Sequence, residues 1–484
     1  MVFPVVGGDG KPTGYEISNS FRTGASSSAP TSNAYLKNTL SSAATEEKFT
    51  VSAWVKLSGK LANSFYIWGG NQPNSSPYQY SYFRFIDTSG TASQTIHFKG
   101  TQDDGTNFDI ESNALFRDPS AWYHAVLSVD TTQGTASNRV KIYVNGSQIT
   151  SLQTSNYPSQ NAGIRSSSNG AMQTVGTWNY ENTNYAPNDD GYISEFYFID
   201  GQALDPTYFG ETNDNGVWIP KDYTGTYGTH GVRFEFKQTG SGTNSSGIGA
   251  DTSGNDNHFA VTNSATTDIT TDTPTNNFCT MNPLAIGADA TLSEGNCQIA
   301  YGSGTRSVST ANMGFASGKW YWEWKISAAS TDGCSAMPGI GGLPFGPDLG
   351  TYLGNNSNGY AYNGEDGKKY SGGANSAYGD TFTTNDIISV AFDADNGNLY
   401  FYKNGTIQNS GTAAYTSLTS PSSGFYYPAM GDASGAKTFT AQANFGNPPY
   451  SISSGNSDGK YGNFEYAPPS GYYAICTKRL AEFG

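Results

Sequence analysis

Charge is scarce in this 484-residue chain. Asp and Glu number 40 and Lys and Arg 25, together 13% of residues, against the roughly 25% usual for globular proteins. What charge there is leans acidic, with a net −15 spread without an acidic run, so a nucleic-acid phosphate backbone would be repelled. No stretch of about 18 apolar residues exists, which excludes a membrane-spanning helix. Histidine is rare, at four residues, and so is cysteine. Cys279, Cys297, Cys334 and Cys476 all fall in the second half and match no zinc-ligand spacing. Buried free thiols are the expectation, with a single disulfide as the alternative. The opening residues 1–8 lack the basic stretch and the long apolar run of a secretory signal, and none is expected.

Two classes are excluded by other shortages. Too few Glu, Lys, Leu and Ala recur at helical period for a bundle or coiled coil. Disorder is excluded by the abundance of aromatics, at 14% of the chain: 33 Tyr, 26 Phe and 8 Trp, with 59 Gly beside them. The remaining class is all-β and rich in turns.

Strand periodicity supports this. Phe49, Val51, Ala53, Val55 and Leu57 alternate with Thr50, Ser52, Trp54 and Lys56, which predicts a half-buried strand. Residues 122–129 and 193–199 read as further strands. Val140, Ile142 and Val144 share a face that ends at Asn145-Gly146. This dipeptide tolerates the positive φ of a type I′ turn, so residues 147–149 should return antiparallel. In the second half Trp320, Trp322, Trp324 and Ile326 share one strand face, and Ile388, Val390 and Phe392 another. Residues 399–402 run into a second such hairpin at Asn404-Gly405. No convincing amphipathic helix is present, and residues 206–210 allow one short helical turn. These patterns predict two antiparallel β-sandwiches. Polar segments at 239–250 and 266–276 place the boundary near residue 275. Residues 211–275 either add an edge strand to the first sandwich, through Val232, Phe234 and Phe236, or form a bridging module.

The first half resembles the laminin-G-like, concanavalin-A-like jelly roll over residues 16–210. The resemblance rests on Phe49-Thr-Val-Ser-Ala-Trp-Val-Lys56, on Trp122-Tyr-His-Ala-Val followed by Val140-Lys-Ile-Tyr-Val-Asn-Gly146, and on the closing Asp190-Gly-Tyr-Ile-Ser-Glu-Phe-Tyr-Phe-Ile-Asp-Gly-Gln-Ala-Leu204. The second half resembles a SPRY domain, within residues 276–484. There the carriers are Gly318-Lys-Trp-Tyr-Trp-Glu-Trp324, Asp386-Ile-Ile-Ser-Val-Ala-Phe-Asp393, Gly397-Asn-Leu-Tyr-Phe-Tyr-Lys-Asn-Gly405, Tyr427-Pro-Ala-Met430 and Ala443-Asn-Phe-Gly446. The whole arrangement, opened by residues 1–15 as an attachment segment, resembles virion structural or tail-associated proteins of marine bacteriophages. That resemblance implies a virion component. The expectation is a homo-oligomer displayed on the exterior of a tail or capsid, with other virion proteins and host cell-surface polysaccharide as partners; a purely structural capsid-decoration or tail-scaffold role is the alternative, and a polysaccharide depolymerase a third.

Catalysis has little support in the sequence, and no catalytic residue is assigned. His124 lies inside a strand motif and reads as structural. His97, His230 and His258 have no nucleophile or metal-spaced partner nearby in the chain. Asp109 and Glu111 alternate on one strand and so share a face, as paired glycosidase carboxylates do, but Asn107 occupies the position of a third acid. Calcium is a candidate cofactor at Asp189 and Asp190, because that ion takes several hard oxygens at a sheet rim; solvated turn residues are the alternative. Glycan binding is the better-supported expectation. Sugar rings stack on flat aromatics while amides and carboxylates bond their hydroxyls. Three clusters offer this combination: Trp68 in a Gly-Gly-Asn-Gln context; Tyr78, Tyr80 and Tyr82; and Trp178, Tyr180, Glu181 and Tyr185. The alternative is that these aromatics pack loops or a subunit interface. Residues 332–352 and 360–370 are the analogous candidates in the second half.

Overall fold

The computed structural model describes residues 14–23, 34–42, 44–59, 61, 64–72, 79–87, 94–164, 168–181, 184–342 and 351–484, the side chains of residues 180, 181 and 184 excepted. Backbone packing separates a unit comprising residues 12–275 from one comprising residues 276–484. Each is a pair of antiparallel sheets, so the chain is all-β with two sandwiches.

The first domain runs through β1 (Ser20–Thr23), β2 (Tyr35–Thr39), β3 (Lys48–Leu57), β4 (Ser64–Gln72), β5 (Gln79–Asp87), β6 (Gln94–Thr101), β7 (Asn107–Ser112), β8 (Trp122–Asp130), β9 (Val140–Val144), β10 (Ser147–Gln148), β11 (Leu152–Asn156) and β12 (Met172–Val175). A small hairpin follows, β13 (Asn179–Glu181) with β14 (Asn184–Tyr185), and then the long β15 (Gly191–Asp200). The chain continues through β16 (Gly210–Thr212), β17 (Trp218–Pro220), β18 (Val232–Phe234), β19 (Ala260–Thr262) and β20 (Ile269–Thr270). One sheet has the order β10-β9-β8-β3-β15-β1-β20, with β18 also on β15; the other has the order β11-β7-β6-β5-β4-β12-β2-β19. Phe49, Val51, Phe65, Phe83, Phe98, Ile110, Leu127, Ile193 and their neighbours fill the space between them.

The stretch after residue 210 therefore contributes to both sheets. Strand β15 bulges between Ser194 and Tyr197, where Glu195 takes φ +48. Ahead of the bulge β15 pairs with β1, and beyond it with β18. Strand β19 extends the second sheet beside β2.

One expectation is corrected by this stretch. Strand β3 is buried on both faces. Its outer side is covered: Trp54 stacks on His124 (4.8 Å), and Lys56 pairs with Asp272 at 2.8 Å, both fully enclosed. His124 is clamped in place. Its Nε2 donates to Ser52 Oγ (2.9 Å), and its Nδ1 accepts from Trp218 Nε1 (3.0 Å). Of the expected attachment segment, residues 1–13 lie outside the described residues. Tyr15 is held in the first domain, where its hydroxyl accepts from Arg233 (2.6 Å).

In the second domain, residues Lys319–Ala329 pair with Ile387–Asp393 on one side and Phe439–Asn444 on the other. Trp320, Trp322, Trp324 and Ile326 project into the core. On the opposite face Glu323 is enclosed. It accepts from the Tyr321 and Tyr450 hydroxyls, Asn444, and the backbone N–H groups of Glu465 and Tyr466. This carboxylate anchors the C-terminal stretch to the sheet. That stretch ends in a short α-helix, Thr477–Phe483, which periodicity did not announce because seven residues are too few to display it. All four cysteines are buried.

Candidate functional site

The second sheet of the first domain has two contrasting faces, because successive strand side chains point to opposite sides. Phe83, Phe85, Ile96, Phe98, Phe108 and Ile110 turn inward. Between them, Tyr80, Tyr82 and Arg84 of β5, Thr95, His97 and Lys99 of β6, and Asp109 and Glu111 of β7 turn outward. Register sets these into two rungs. Tyr66, Arg84, His97 and Glu111 lie directly opposite one another across four strands. Gly69, Tyr82, Lys99 and Asp109 form the adjacent rung.

The missing side chain at Gly69 shapes the site. A Cβ there would come within 3.1 Å of Trp178 Cα, so only glycine lets the segment before β13 lie on the sheet. Trp178 thereby reaches the tyrosines, with ring centroids 5.2 Å from Tyr80, 5.0 Å from Tyr82 and 6.3 Å from Tyr66. Tyr66, Tyr82 and Ala186 form the buried part of this cluster, and Tyr80 and Trp178 its half-buried edge. At the far side of the β13–β14 hairpin, Tyr185 stacks on Tyr35 at 4.7 Å and accepts from Lys37 Nζ at 3.3 Å. Tyr185 is thus separate from the Trp178 group.

Beside the aromatics stands a polar row. His97 donates from Nε2 to Asp109 Oδ1 (2.9 Å), and Lys99 Nζ meets Asp109 Oδ2 (2.9 Å). Burial works against the Asp109 carboxylate, but the bonds from His97 and Lys99 outweigh it and hold its pKa below the usual value. Glu111 accepts from Thr95 Oγ1 (2.6 Å). His97, Asp109 and Glu111 each bring one potential ligand atom within 4.8 Å of the others, alone among the described residues. His97 is nonetheless arranged as a donor. Arg84 faces its Nδ1 at 3.4 Å, which places the imidazole proton on Nε2, where a metal ligand would need a lone pair.

Arg84 is the residue the sequence reading missed. Its Nη1 donates to Ser64 Oγ (2.9 Å) and to the Tyr66 hydroxyl (3.0 Å), and its Nη2 lies 3.3 Å from the Tyr82 hydroxyl. The guanidinium also sits 4.3 Å from the centre of the Tyr82 ring, within cation–π range. The signal was available in Tyr82-Phe-Arg84, where period 2 puts Tyr and Arg on one face. His97 was set aside because its partner Asp109 is twelve residues away in sequence. Strand pairing makes them neighbours.

The other expected site residues divide. Trp68 has no exposed surface and stacks on Phe198 (5.8 Å) inside the core. A bulge in β4 between Tyr66 and Trp68 sets Trp68 opposite inward-facing Phe83, so it leaves the candidate set. Tyr78 lies outside the described residues, as do the side chains of Tyr180 and Glu181. Asp189 and Asp190 are half-buried. The Asp189 N–H donates to the Ser64 carbonyl (2.8 Å), and the Asp190 carbonyl accepts from Ser58 N–H (3.2 Å).

In the second domain, parts of both candidate loops line a cavity of about 370 Å³. Its wall includes Arg306, Tyr352, Asn363, Glu365, Asp366 and Tyr370 over a floor of Met337. Tyr352 and Tyr370 meet edge to face at 5.7 Å, and Arg306 lies over the Tyr352 ring at 5.6 Å.

Comparison with known proteins agrees with this architecture. Residues 30–207 match the concanavalin A-like lectin/glucanases superfamily, and residues 319–447 match the SPRY domain. The chain therefore carries a concanavalin-like laminin-G domain and a SPRY domain, two types that are typically non-catalytic binding domains. Among curated relatives, Ran-binding protein 9 of Xenopus tropicalis is 32% identical over 167 residues, covering 33% of this chain and 28% of that protein. Its Homo sapiens counterpart is 33% identical over 136 residues, covering 28% and 17%. The match thus spans less than a third of each of these relatives. Among solved structures, the SPRY domain of human HERC1 has a TM-score of 0.29 at 19% identity, covering 34% of this chain and 96% of that one. A heptameric SAP-like pentraxin from Limulus polyphemus has a TM-score of 0.29 at 17% identity, covering 39% and 79%.

Proposed function

We propose that this chain is a non-enzymatic binding protein whose concanavalin-like domain takes glycans on the outer face of its second sheet. The observation that carries the proposal is the placement of Trp178 against Tyr80 and Tyr82, 5.2 and 5.0 Å away, next to the Arg84, His97, Lys99 and Asp109 row. An apolar platform with a few convergent polar groups is the usual make-up of a sugar site. The SPRY domain is a second binding module in this reading, with the Arg306–Tyr352–Tyr370 cavity as its site. It has support from relatives that are themselves named for binding another protein. The expected setting, on the exterior of a phage tail or capsid with adsorption to host surface polysaccharide, belongs to the proposal and rests on the sequence resemblance alone. Several copies on one particle would raise weak binding to useful avidity.

The test is a glycan-binding screen with the full chain and the variants Trp178→Ala and Tyr80→Ala. Binding that both variants lose supports the reading. No binding to any polysaccharide by folded, assembled protein counts against it, as does imaging that finds this face buried against a neighbouring subunit. Release of sugar from a polysaccharide, abolished by Glu111→Gln, would overturn the non-enzymatic part.

A further inference from the structure

We infer that the sugar taken on this face is an acidic one, and that Arg84 receives its carboxylate. The inference rests on the glycan reading above and specifies its ligand.

The first ground is the company Arg84 keeps. The first domain has three other arginines that are at least half-buried among the described residues. Arg22 pairs with Asp268 (3.0 Å), and Arg233 with Glu195 (2.6 Å) and Asp222 (2.9 Å). Arg139 donates to the carbonyl oxygens of Gln133, Gly134 and Pro158. Among the described residues Arg84 has neither a carboxylate nor a carbonyl partner. Its partners are three hydroxyls and an imidazole nitrogen, and its Nε is buried without an acceptor. A half-buried guanidinium with neutral partners carries a desolvation cost that an anion would offset. The neighbouring carboxylates are otherwise engaged, Asp109 by Lys99 and His97 and Glu111 by Thr95.

The second ground is independent of the charge. Ser64, Tyr66 and Tyr82 each accept from Arg84, so each hydroxyl keeps its own proton to give. None of the three donates to a protein acceptor among the described contacts. Burial pushes the Tyr82 phenol well above its ordinary pKa and keeps it a donor. One cation and three O–H donors therefore converge beside an aromatic wall. The complementary ligand carries acceptor oxygens and negative charge on a flat ring-sized body. With the Nη groups of Arg84 already given to the three hydroxyls and to His97, the guanidinium would attract a carboxylate through its charge while the hydroxyls bond the oxygens, which favours a uronic-acid-type sugar over a neutral one.

The experiment compares polygalacturonate with its fully methyl-esterified form, which keeps the backbone and removes the charge, using the full chain. Polygalacturonate should bind about tenfold tighter or more, the increment of one charge-assisted contact. Arg84→Gln should remove the preference for polygalacturonate over the ester. Arg84→Lys should recover part of the difference, while Trp178→Ala should abolish binding of both polymers. An unchanged unfolding midpoint verifies that Arg84→Gln still folds. Equal affinity for the two polymers, or a preference that survives Arg84→Gln, overturns the inference and leaves the glycan reading standing. Dextran sulfate binding as tightly as polygalacturonate also overturns it, since the attraction would then be to charge alone. Failure of every polysaccharide in the wider screen sinks both.

Discussion

Asn145 and His124 hold each other through two hydrogen bonds. The Asn145 backbone N–H donates to the His124 carbonyl oxygen (2.9 Å), and its side-chain Oδ1 accepts from the His124 N–H (2.8 Å). The second domain repeats the device with unrelated neighbours. Asn404 N–H donates to the Ile387 carbonyl (2.8 Å), and Asn404 Oδ1 accepts from Ile387 N–H (2.8 Å). Both asparagines sit at positive φ, +48 and +49, each followed by a glycine at +78 and +77. A Cβ on Gly146 would meet the Trp218 ring at 2.6 Å, and one on Gly405 the Tyr466 ring at 2.5 Å. Asn145→Ala should therefore cost about 1–3 kcal/mol, from the orphaned His124 N–H and the positive φ together. Gly146→Ala should lower the unfolding midpoint as well, because it adds a clash to a strained φ. Denaturant unfolding of the two variants measures both; a midpoint unchanged in either would contradict the account.

His124 gives the first domain a pH dependence. Burial pushes its imidazole down to about 3, against roughly 6.5 in an unfolded chain. Between these values the unfolded state binds the extra proton. Its contribution is thus fully present above about pH 6.5 and is lost as pH falls towards 3, with a limiting slope of about 1.4 kcal/mol per unit. Unfolding free energy measured from pH 7.5 to 4.5 should show this decline, and His124→Gln should flatten it.

Two tryptophans that look alike in sequence should respond oppositely. Trp68→Ala empties the core beneath Phe198 and should cost about 3–5 kcal/mol. Trp178→Ala removes a half-buried ring from the outer face, leaving stability within about 1–2 kcal/mol while abolishing sugar binding. Thermal unfolding alongside glycan titration of each variant distinguishes the roles.

Lys56 and Asp272 are a fully enclosed ion pair, with Trp122 Nε1 also on the carboxylate at 3.3 Å. Lys56→Met leaves that carboxylate buried without its cation and should destabilise by about 3–5 kcal/mol. Adding Asp272→Leu should restore most of the loss, since removing both charges also removes the desolvation cost. A double variant no more stable than Lys56→Met would count against this account of the pair.

Alternation of apolar residues and the two Asn-Gly dipeptides were enough to read strands, hairpins and two sandwiches from the chain alone, because strand period and turn chemistry are local properties. So was the sharing of one strand face by Asp109 and Glu111. The rest depended on relations between distant segments. The bulge in β4 turned Trp68 into the core, and no local pattern marks where a strand gains a residue. Covering segments from beyond residue 200 enclosed the outer side of β3, which alternation had assigned to solvent. Cross-strand register brought Arg84 beside His97 and His97 beside Asp109, and the bare Gly69 admitted Trp178 to their side. Such contacts follow from which strands pair and in what register, and that choice is settled by the packing of the whole sandwich rather than by any one stretch of sequence.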